Sequence, residues 1–495
     1  MKSFIKKIFV LLITLLILSS CSNKQEEVFE SLDELNGRNI GCMSGSIFDA
    51  LIAEKFPDSE IIYFGSRSEL LLGLNTGKID AFISDEPVAM MMINENKNLG
   101  YLEEPIGEVK YGICFSNNNK DKLIKFNEFL TKINNNGHLK ELEDKWINLN
   151  GTSQKKEELV LSGNNGTLNC VTTPDAAPFS FISDNIFQGF EVELLNEFCF
   201  EYGYDLHIDT VNFDALLTSV AMNKYDIAFN GIYITPERAK SVNFCNSILS
   251  GDDVVMIRKA GIENNKDFLK SIGDSFYNNF IEEDRYKLLI HGVNVTLQIS
   301  FYSTICGTLY GLLLYYLSTI NKNTKRILNF FQNLLSKIPA VVVLMGLFYV
   351  IFNTSSISAV IVSIIGFTLI FGNTVYGLIK TGVSAIDKGQ NEAALALGYD
   401  KWMAFFRIIL PQVAKTVYDT YLKEVATLIK NTSIVGYVSV NDITRSSDII
   451  RGRTYDALFP LIVVAIIYYL LCTFLVELVR IPLTSIISRK VKYDD

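Results

Sequence analysis

The sequence predicts a two-lobed α/β domain followed by an all-α transmembrane domain of about five helices. Three observations carry that expectation. The 495 residues are 49% hydrophobic and only 20% charged, against about 25% charged in a typical soluble chain. Apolar residues are concentrated in 8–18 and again after about residue 288, while 22–287 has ordinary soluble composition. Between 35 and 260, short apolar runs alternate with helical patterns, the rhythm of parallel sheets. This distribution argues against an all-cytosolic enzyme. The formal net charge of −9 leaves no basic footprint for nucleic acid. Only His138, His207 and His291 occur, and none of the eight cysteines forms a Cys-x-x-Cys pair, so no metal site and no cofactor are expected.

The amino terminus reads as an address. Lys2, Lys6 and Lys7 precede the apolar run Ile8 to Leu18, and Ser19, Ser20 and Cys21 come next. The run is shorter than the ~20 residues that span a bilayer, so the pattern is that of a secretory signal, with an uncleaved anchor helix as the alternative. Leu18-Ser19-Ser20-Cys21 resembles a bacterial lipobox, which implies lipidation of Cys21. Either reading places residues 22–287 outside the cytoplasm. Cys42, Cys114, Cys170, Cys199 and Cys245 lie in that exported part; an odd number cannot all pair, and buried free thiols are expected.

Along the exported part the pattern predicts a strand at 40–43, a helix at 47–56, a strand at 61–64, a helix at 68–76 and a strand at 79–84. A strand at 111–116 and two amphipathic helices through Trp146 come after, and the polar stretch 148–158 is the linker candidate. A second block holds a strand at 167–172, a helix at 190–203, a strand at 206–211, a helix at 213–223, a strand at 225–230 and a helix opened by Thr235-Pro236.

Gly189-Phe190-Glu191-Val192-Glu193-Leu194 resembles the signature of family 3 extracytoplasmic solute-binding proteins for polar amino acids, with Phe198 in place of a smaller aliphatic residue. Tyr225-Asp226-Ile227-Ala228 and Ile234-Thr235-Pro236-Glu237-Arg238, continuing to Phe244, resemble the family's first lobe. Leu35-Asn36-Gly37 with Ser44-Gly45-Ser46, and Gly77-Lys78-Ile79-Asp80-Ala81 ending in Asp85, resemble its second. The resemblance implies a periplasmic-binding-protein-like (Venus flytrap) fold. The second-lobe motifs come first here and each occurs once. That order implies either one circularly permuted receptor or two partial tandem ones.

The chemistry of a zwitterion points to particular residues. Its carboxylate needs a cation, and Arg238 sits beside the Thr235 cap of an expected helix start, whose N–H groups favour an anion. Its ammonium needs an anion, and Asp85 ends an apolar strand, at the sheet edge where open α/β folds bind ligands. The resemblance implies the same two roles. It adds Asn230 and Tyr233 beside the ligand, Ser46 as a donor to the carboxylate, and Phe213 packed on the ligand side chain. Ala176, Ile47 and Tyr233 depart from the family pattern, which bears on ligand identity more than on ligand class.

The carboxyl half is apolar. Residues 288–320 hold one ionisable side chain, His291, and 338–379 hold no charge, enough length for two spans hinged at 353–356. Residues 457–476 supply another. Residues 412–440 carry Lys415, Asp419, Lys423, Glu424 and Lys430; an external start and a positively charged cytoplasmic tail require an odd number of spans, which makes this the fifth. Glu392-Ala393-Ala394, then Gly398, Ile408 and Leu410-Pro411, resembles the EAA loop of ABC-importer permeases at every spacing. That resemblance implies docking through Glu392, Ala393, Ala394 and Gly398 on a separate ATPase subunit dimer, a permease homodimer, and residence in a bacterial plasma membrane. No phosphate-binding G-x-x-x-x-G-K-[ST] occurs in the chain, and no catalytic residue is assigned. The expected domains are a signal at 1–21, solute-binding segments at 22–150 and 151–260, a linker at 261–287 and the permease at 288–495. Ile434-Val435-Gly436-Tyr437-Val438 superficially resembles a potassium filter but lacks its first and last residues. An amino-acid-gated channel and a membrane-anchored amino-acid sensor are the alternatives, and neither needs an EAA loop.

Overall fold

The computed structural model describes residues 29–96, 98–148, 159–183, 186–259, 273–353, 357–454, 456 and 458–488. The expected signal with Cys21, residues 149–158 of the first linker candidate and residues 261–272 of the expected linker 261–287 lie outside them.

Among the described residues, the amino-terminal half builds two main sheets. Strands β1 (Asn39–Met43), β2 (Glu60–Phe64), β3 (Ala81–Asp85), β4 (Leu99–Tyr101), β5 (Gly107–Tyr111), β6 (Cys114–Phe115), β7 (Thr167–Thr172), β8 (Asp175–Ala176), β9 (Ser180–Ser183), β10 (Ile186–Gln188), β11 (Asp205–Thr210), β12 (Ile227–Ala228), β13 (Asn243–Phe244) and β14 (Leu249–Arg258) run in chain order. The sheet of what we call the second lobe runs β2-β1-β3-β14-β4, with β5 also on β14. That of the first lobe runs β11-β7-β12-β6-β13. β1 is parallel to β2 and β3, and β7 to β11 and β12, as a β-α-β rhythm requires.

Each sheet takes one strand from the opposite half of the sequence. β14 joins the second lobe and β6 the first, so the chain crosses between lobes at 111–114 and again at 244–249. The expected strand at 111–116 is therefore divided. Tyr111 ends β5, Cys114 opens β6, and Gly112 between them leaves no room for a side chain, since a Cβ would meet the Ile234 side chain at 2.8 Å.

Helices α1 (Phe48–Lys55), α2 (Arg67–Asn75) and α3 (Glu86–Glu95) belong to the second lobe. α4 (Lys120–Asn135), α5 (His138–Glu143), α6 (Phe190–Tyr202) and α7 (Phe213–Ala221) belong to the first. Phe198 is fully buried, edge-on to Phe126 at 5.0 Å and Phe129 at 5.8 Å, so the large residue in the signature packs against the paired helix α4. Cys42, Cys114, Cys170, Cys199 and Cys245 are buried and unpaired. The helix expected after Thr235-Pro236 is only a 3₁₀ turn, Arg238–Lys240, because β13 begins at Asn243 and leaves no length for more.

The carboxyl half is helical: α8 (Tyr286–Ile320), α9 (Lys322–Leu335), α10 (Ala340–Met345), α11 (Ala359–Ser384), α12 (Lys388–Ala396), α13 (Leu410–Asn431), α14 (Ile443–Thr454) and α15 (Leu458–Ser488). Among the described residues, three stretches are long and apolar enough to cross a membrane, 286–320, 359–384 and 458–481; the pair α9 and 340–351, bent by 107°, makes a fourth if it is one span. The apolar stretch 338–379 thus divides unevenly. Its first helical piece, 340–351, rises only about 18 Å. α8 and α11 pack through glycines: a Cβ on Gly307 would meet Phe371 at 2.8 Å, and one on Gly372 would meet the Gly307 carbonyl at 2.9 Å. Pro411 opens α13 rather than ending the preceding element, a position where its missing N–H is harmless. Residues 432–438 form a 3₁₀ helix, a backbone unlike a carbonyl-lined filter.

Candidate ligand cleft, pore contact and docking loop

Asp85 is the last residue of β3 and stands at the N-cap of α3, yet its carboxylate makes no capping bond, so its charge stays available to the cleft. The Tyr233 hydroxyl lies 2.6 Å from Asp85 Oδ1 and 2.5 Å from Asp253 Oδ1. A phenol has one proton to give, so the Tyr233 hydroxyl donates fully to only one of the two carboxyls at a time. Burial, partly offset by the Tyr233 hydroxyl and reinforced by the Asp85 charge, pushes Asp253 up to about 7. A neutral Asp253 relieves the repulsion between two carboxyls that share one hydroxyl.

The turn that carries Asn230 and Tyr233 is pinned from below. Glu191 Oε2 accepts the Gly231 N–H at 3.0 Å, and burial pushes this carboxyl up to about 8. Gly231 has φ +61°, and Phe179 lies 2.8 Å from where a Cβ would be.

Arg238 is half-buried. Its N–H donates to Thr235 Oγ1 at 3.2 Å, and its guanidinium donates to the Tyr233 carbonyl at 3.3 Å and to the Gly45 carbonyl across the cleft at 3.1 Å. Burial lowers its pKa. Gly45 (φ +83°) comes so close to the first lobe that a Cβ would sit 2.9 Å from Asp214 Cα. The lobes are closed on each other. Ser46, Asp85, Phe213, Tyr233 and Arg238 line one cavity of about 20 Å³ between them, room for little more than a water. A groove of about 560 Å³ adjoins it through Ser46, Ile47 and Arg238. Any ligand larger than water enters only when the lobes part.

Two residues depart from expectation. Ser46 Oγ accepts from the Phe48 N–H at 3.3 Å, serving the start of α1. Asn230 does not line the cavity; its amide donates to Thr173 Oγ1 at 2.7 Å and Ser180 Oγ at 3.2 Å, one layer behind. Sequence alone missed Arg67, which lines the same cavity at 6% exposure. A signal for it was present: Ser66 caps α2 by accepting the Glu69 N–H at 3.3 Å, which aims the next residue from a helix start.

Between the lobes and the membrane helices stands α14. Arg445 donates to the Val211 carbonyl at 2.6 Å and Asn212 Oδ1 at 3.0 Å. Thr210 donates to Asn441 at 3.0 Å, Tyr225 to Ser439 at 2.7 Å, and Lys224 to the Phe352 carbonyl at 3.1 Å. Arg453 donates to Ser183 at 3.1 Å and is paired with Glu283, so the segment before α8 is docked on α14 rather than free. α14 also touches α2 of the second lobe.

At the far end, Glu392 and Ala393 are exposed on α12, Ala394 is buried, and Gly398 has φ +85°, the left-handed turn that glycine makes without strain. Leu397 (76% exposed), Trp402 and Met403 stand out beside them, an apolar patch of the kind that marks a protein contact.

The model of the binding-protein-dependent transport system inner membrane component matches residues 307–481, and that of bacterial extracellular solute-binding proteins, family 3, matches 168–344. A putative glutamine transport system permease protein, GlnP, from Rickettsia typhi is 33% identical over 187 residues, 37% of this chain and 85% of its own length. The chain belongs to the family of binding-protein-dependent transport permeases. The permease also resembles the arginine transport system permease protein ArtQ of Bacillus subtilis, at 30% identity over 42% of this chain and 94% of the relative. A solved amino acid ABC transporter with histidines is 26% identical, covering 46% of this chain and 99% of that one, with a TM-score of 0.37. A family 3 solute-binding domain and a permease domain are thus fused in one polypeptide.

Proposed function

We propose that this permease imports a polar amino acid, with receptor and pore in one chain and ATP hydrolysed by a separate subunit pair. One observation carries the reading: Arg238 of the first lobe and Asp85 of the second face the same closed cavity. Arg238 takes the α-carboxylate and Asp85 the α-ammonium, with Ser46 and Phe213 beside them and Tyr233 holding Asp85. The relatives' names, glutamine and arginine permeases, agree with an amino-acid cargo.

A single circularly permuted receptor fits the strand exchange best. The crossings at 111–114 and 244–249 make both segments parts of one two-lobed body, and such permutation is tolerated where native ends lie close. The receptor sits outside the plasma membrane, and α13 is the fifth span. Lys415, Asp419, Lys423 and Lys430 all lie on one exposed stripe of α13, which a second copy would cover to form a polar path. The EAA helix α12, with Leu397 and Trp402, docks on the ATPase. Ligand closes the lobes by hinge motion, α14 transmits closure to the pore, and ATP resets it.

The test is uptake of labelled amino acids into proteoliposomes holding the chain and its ATPase. Uptake should require ATP, and Arg238→Ala should weaken binding at least about a hundredfold, since it strips the cation from a carboxylate. Calorimetry should find one ligand per chain. A ligand-evoked ion current without ATP would overturn the reading.

A further inference from the structure

The cleft holds one cation more than a zwitterion needs. Arg238 and Asp85 suffice for the carboxylate and ammonium shared by every amino acid. Arg67, on the second lobe, lines the same cavity and is 6% exposed. Burying a guanidinium is costly unless its donors are used. Here they are used only loosely: Asn230 Oδ1 accepts at 3.4 Å, and Asp175 Oδ1 at 3.8 Å and Asp85 Oδ2 at 3.9 Å are its ion partners. None lies in the 2.7–3.2 Å range of a full N–H···O bond. Those carboxylates have closer partners, Tyr233 at 2.6 Å for Asp85 and Thr173 at 2.6 Å for Asp175. The Phe213 ring lies 5.9 Å from the Arg67 guanidinium carbon, so the loosely held donors and the apolar wall that would flank a ligand's stem are side by side.

We infer that Arg67 reads the ligand's side chain, and that the cargo is an amino acid whose side chain presents a carbonyl or carboxylate oxygen: glutamine, glutamate, asparagine or aspartate. The inference rests on the amino-acid reading above. When Asp85 turns to the ligand's ammonium, Arg67 loses one of its distant counter-charges and gains the side-chain oxygen at full hydrogen-bond length. A planar fork suits a carboxylate or carboxamide, whereas a lysine or arginine ligand would bring a second cation against it. The amide and acid forms share this chemistry, and titrating both separates them.

The test is calorimetry on the full chain in lipid nanodiscs with glutamine, glutamate, asparagine, aspartate, arginine and lysine, and with alanine as a reference lacking the side-chain oxygen, read directly or by competition. The unmodified chain should bind at least one amide or acid ligand more tightly than alanine, and arginine and lysine more weakly. Arg67→Gln should weaken that preferred ligand roughly ten- to a hundredfold while changing alanine less than about twofold, and Arg67→Lys should recover part of the loss. A mere latch between lobes would instead weaken every ligand alike, and that result overturns the inference. So does tightest binding of arginine or lysine, which leaves the amino-acid reading standing. Binding of none of them by the unmodified chain, with uptake absent, removes that reading and this inference together.

Discussion

The first lobe is tied to the pore by hydrogen bonds from Thr210, Tyr225 and Lys224 and by bonds accepted at Ser183, Val211 and Asn212, whereas the second lobe meets the pore where α2 passes α14. The difference makes a prediction about motion: opening the cleft should move the second lobe against a first lobe that stays docked, and α14, which touches both, should feel the change. On the proposed reading the ligand-facing groups are divided in the same way, with Arg238 on the first lobe and Asp85 and Arg67 on the second.

Breaking the fixed side should have the largest effect. Arg445→Ala removes two bonds from a buried guanidinium to Val211 and Asn212. Uptake in proteoliposomes should fall tenfold or more, while ligand affinity measured by calorimetry stays within about threefold, because Arg445 touches no ligand-facing group. Unchanged uptake would show that the docking is not the coupling. A smaller effect is expected at Gly452, where an added Cβ would collide with Asp175 Cβ. Gly452→Val wedges α14 against the loop after β7, an overpacking cost of about 1–3 kcal/mol. It should weaken ligand binding several-fold, since Asp175 borders Arg67. Wild-type affinity in that variant would mean that the first lobe yields at this edge.

Much of this division was legible in the residues, and some was not. The resemblance at Glu392, Ala394 and Gly398 made a helix, a buried small residue and a left-handed turn legible. Arg238 and Asp85 were singled out as opposite charges at element ends, and the fold brings both to one cavity. The strand exchange at 111–114 was not, since Tyr-Gly-Ile-Cys-Phe-Ser is continuous in β propensity and only the pairing of Cys114 with Ala228 and Phe244 divides it. Arg67 was hidden for a similar reason. A charged residue at a helix start reads as solvated until the opposite lobe, distant in sequence, covers it. The 107° bend between α9 and α10 was not legible in 338–379, because hydropathy reports composition while the bend depends on packing.

The smallest expected effect compares one buried carboxyl in each lobe. Asp253 of the second lobe is pushed up to about 7 and Glu191 of the first to about 8, both chiefly by burial. Unfolded, these groups titrate near 3.9 and 4.3. Their folded values are raised, so their contribution is fully present below about pH 4. It is lost as pH rises through the folded values, because ionising either group inside the fold costs more than ionising it in water. The receptor's melting temperature should therefore decline from pH 4 toward pH 8. Trp146 reports it: it is buried in the first lobe, its Nε1 hydrogen donated to Glu193, and Trp402→Phe leaves it as the only tryptophan. Asp253→Asn holds the neutral form and should raise the melting temperature at pH 8 by about 2–4 °C with little change at pH 4. Glu191→Gln keeps an oxygen for the Gly231 N–H and should act in the same direction. If only Asp253→Asn flattens the profile, the titration belongs to the moving lobe, and ligand binding, which turns Asp85 away from Tyr233, should shift with pH in the same window. If neither does, burial does not hold Asp253 and Glu191 neutral in the fold.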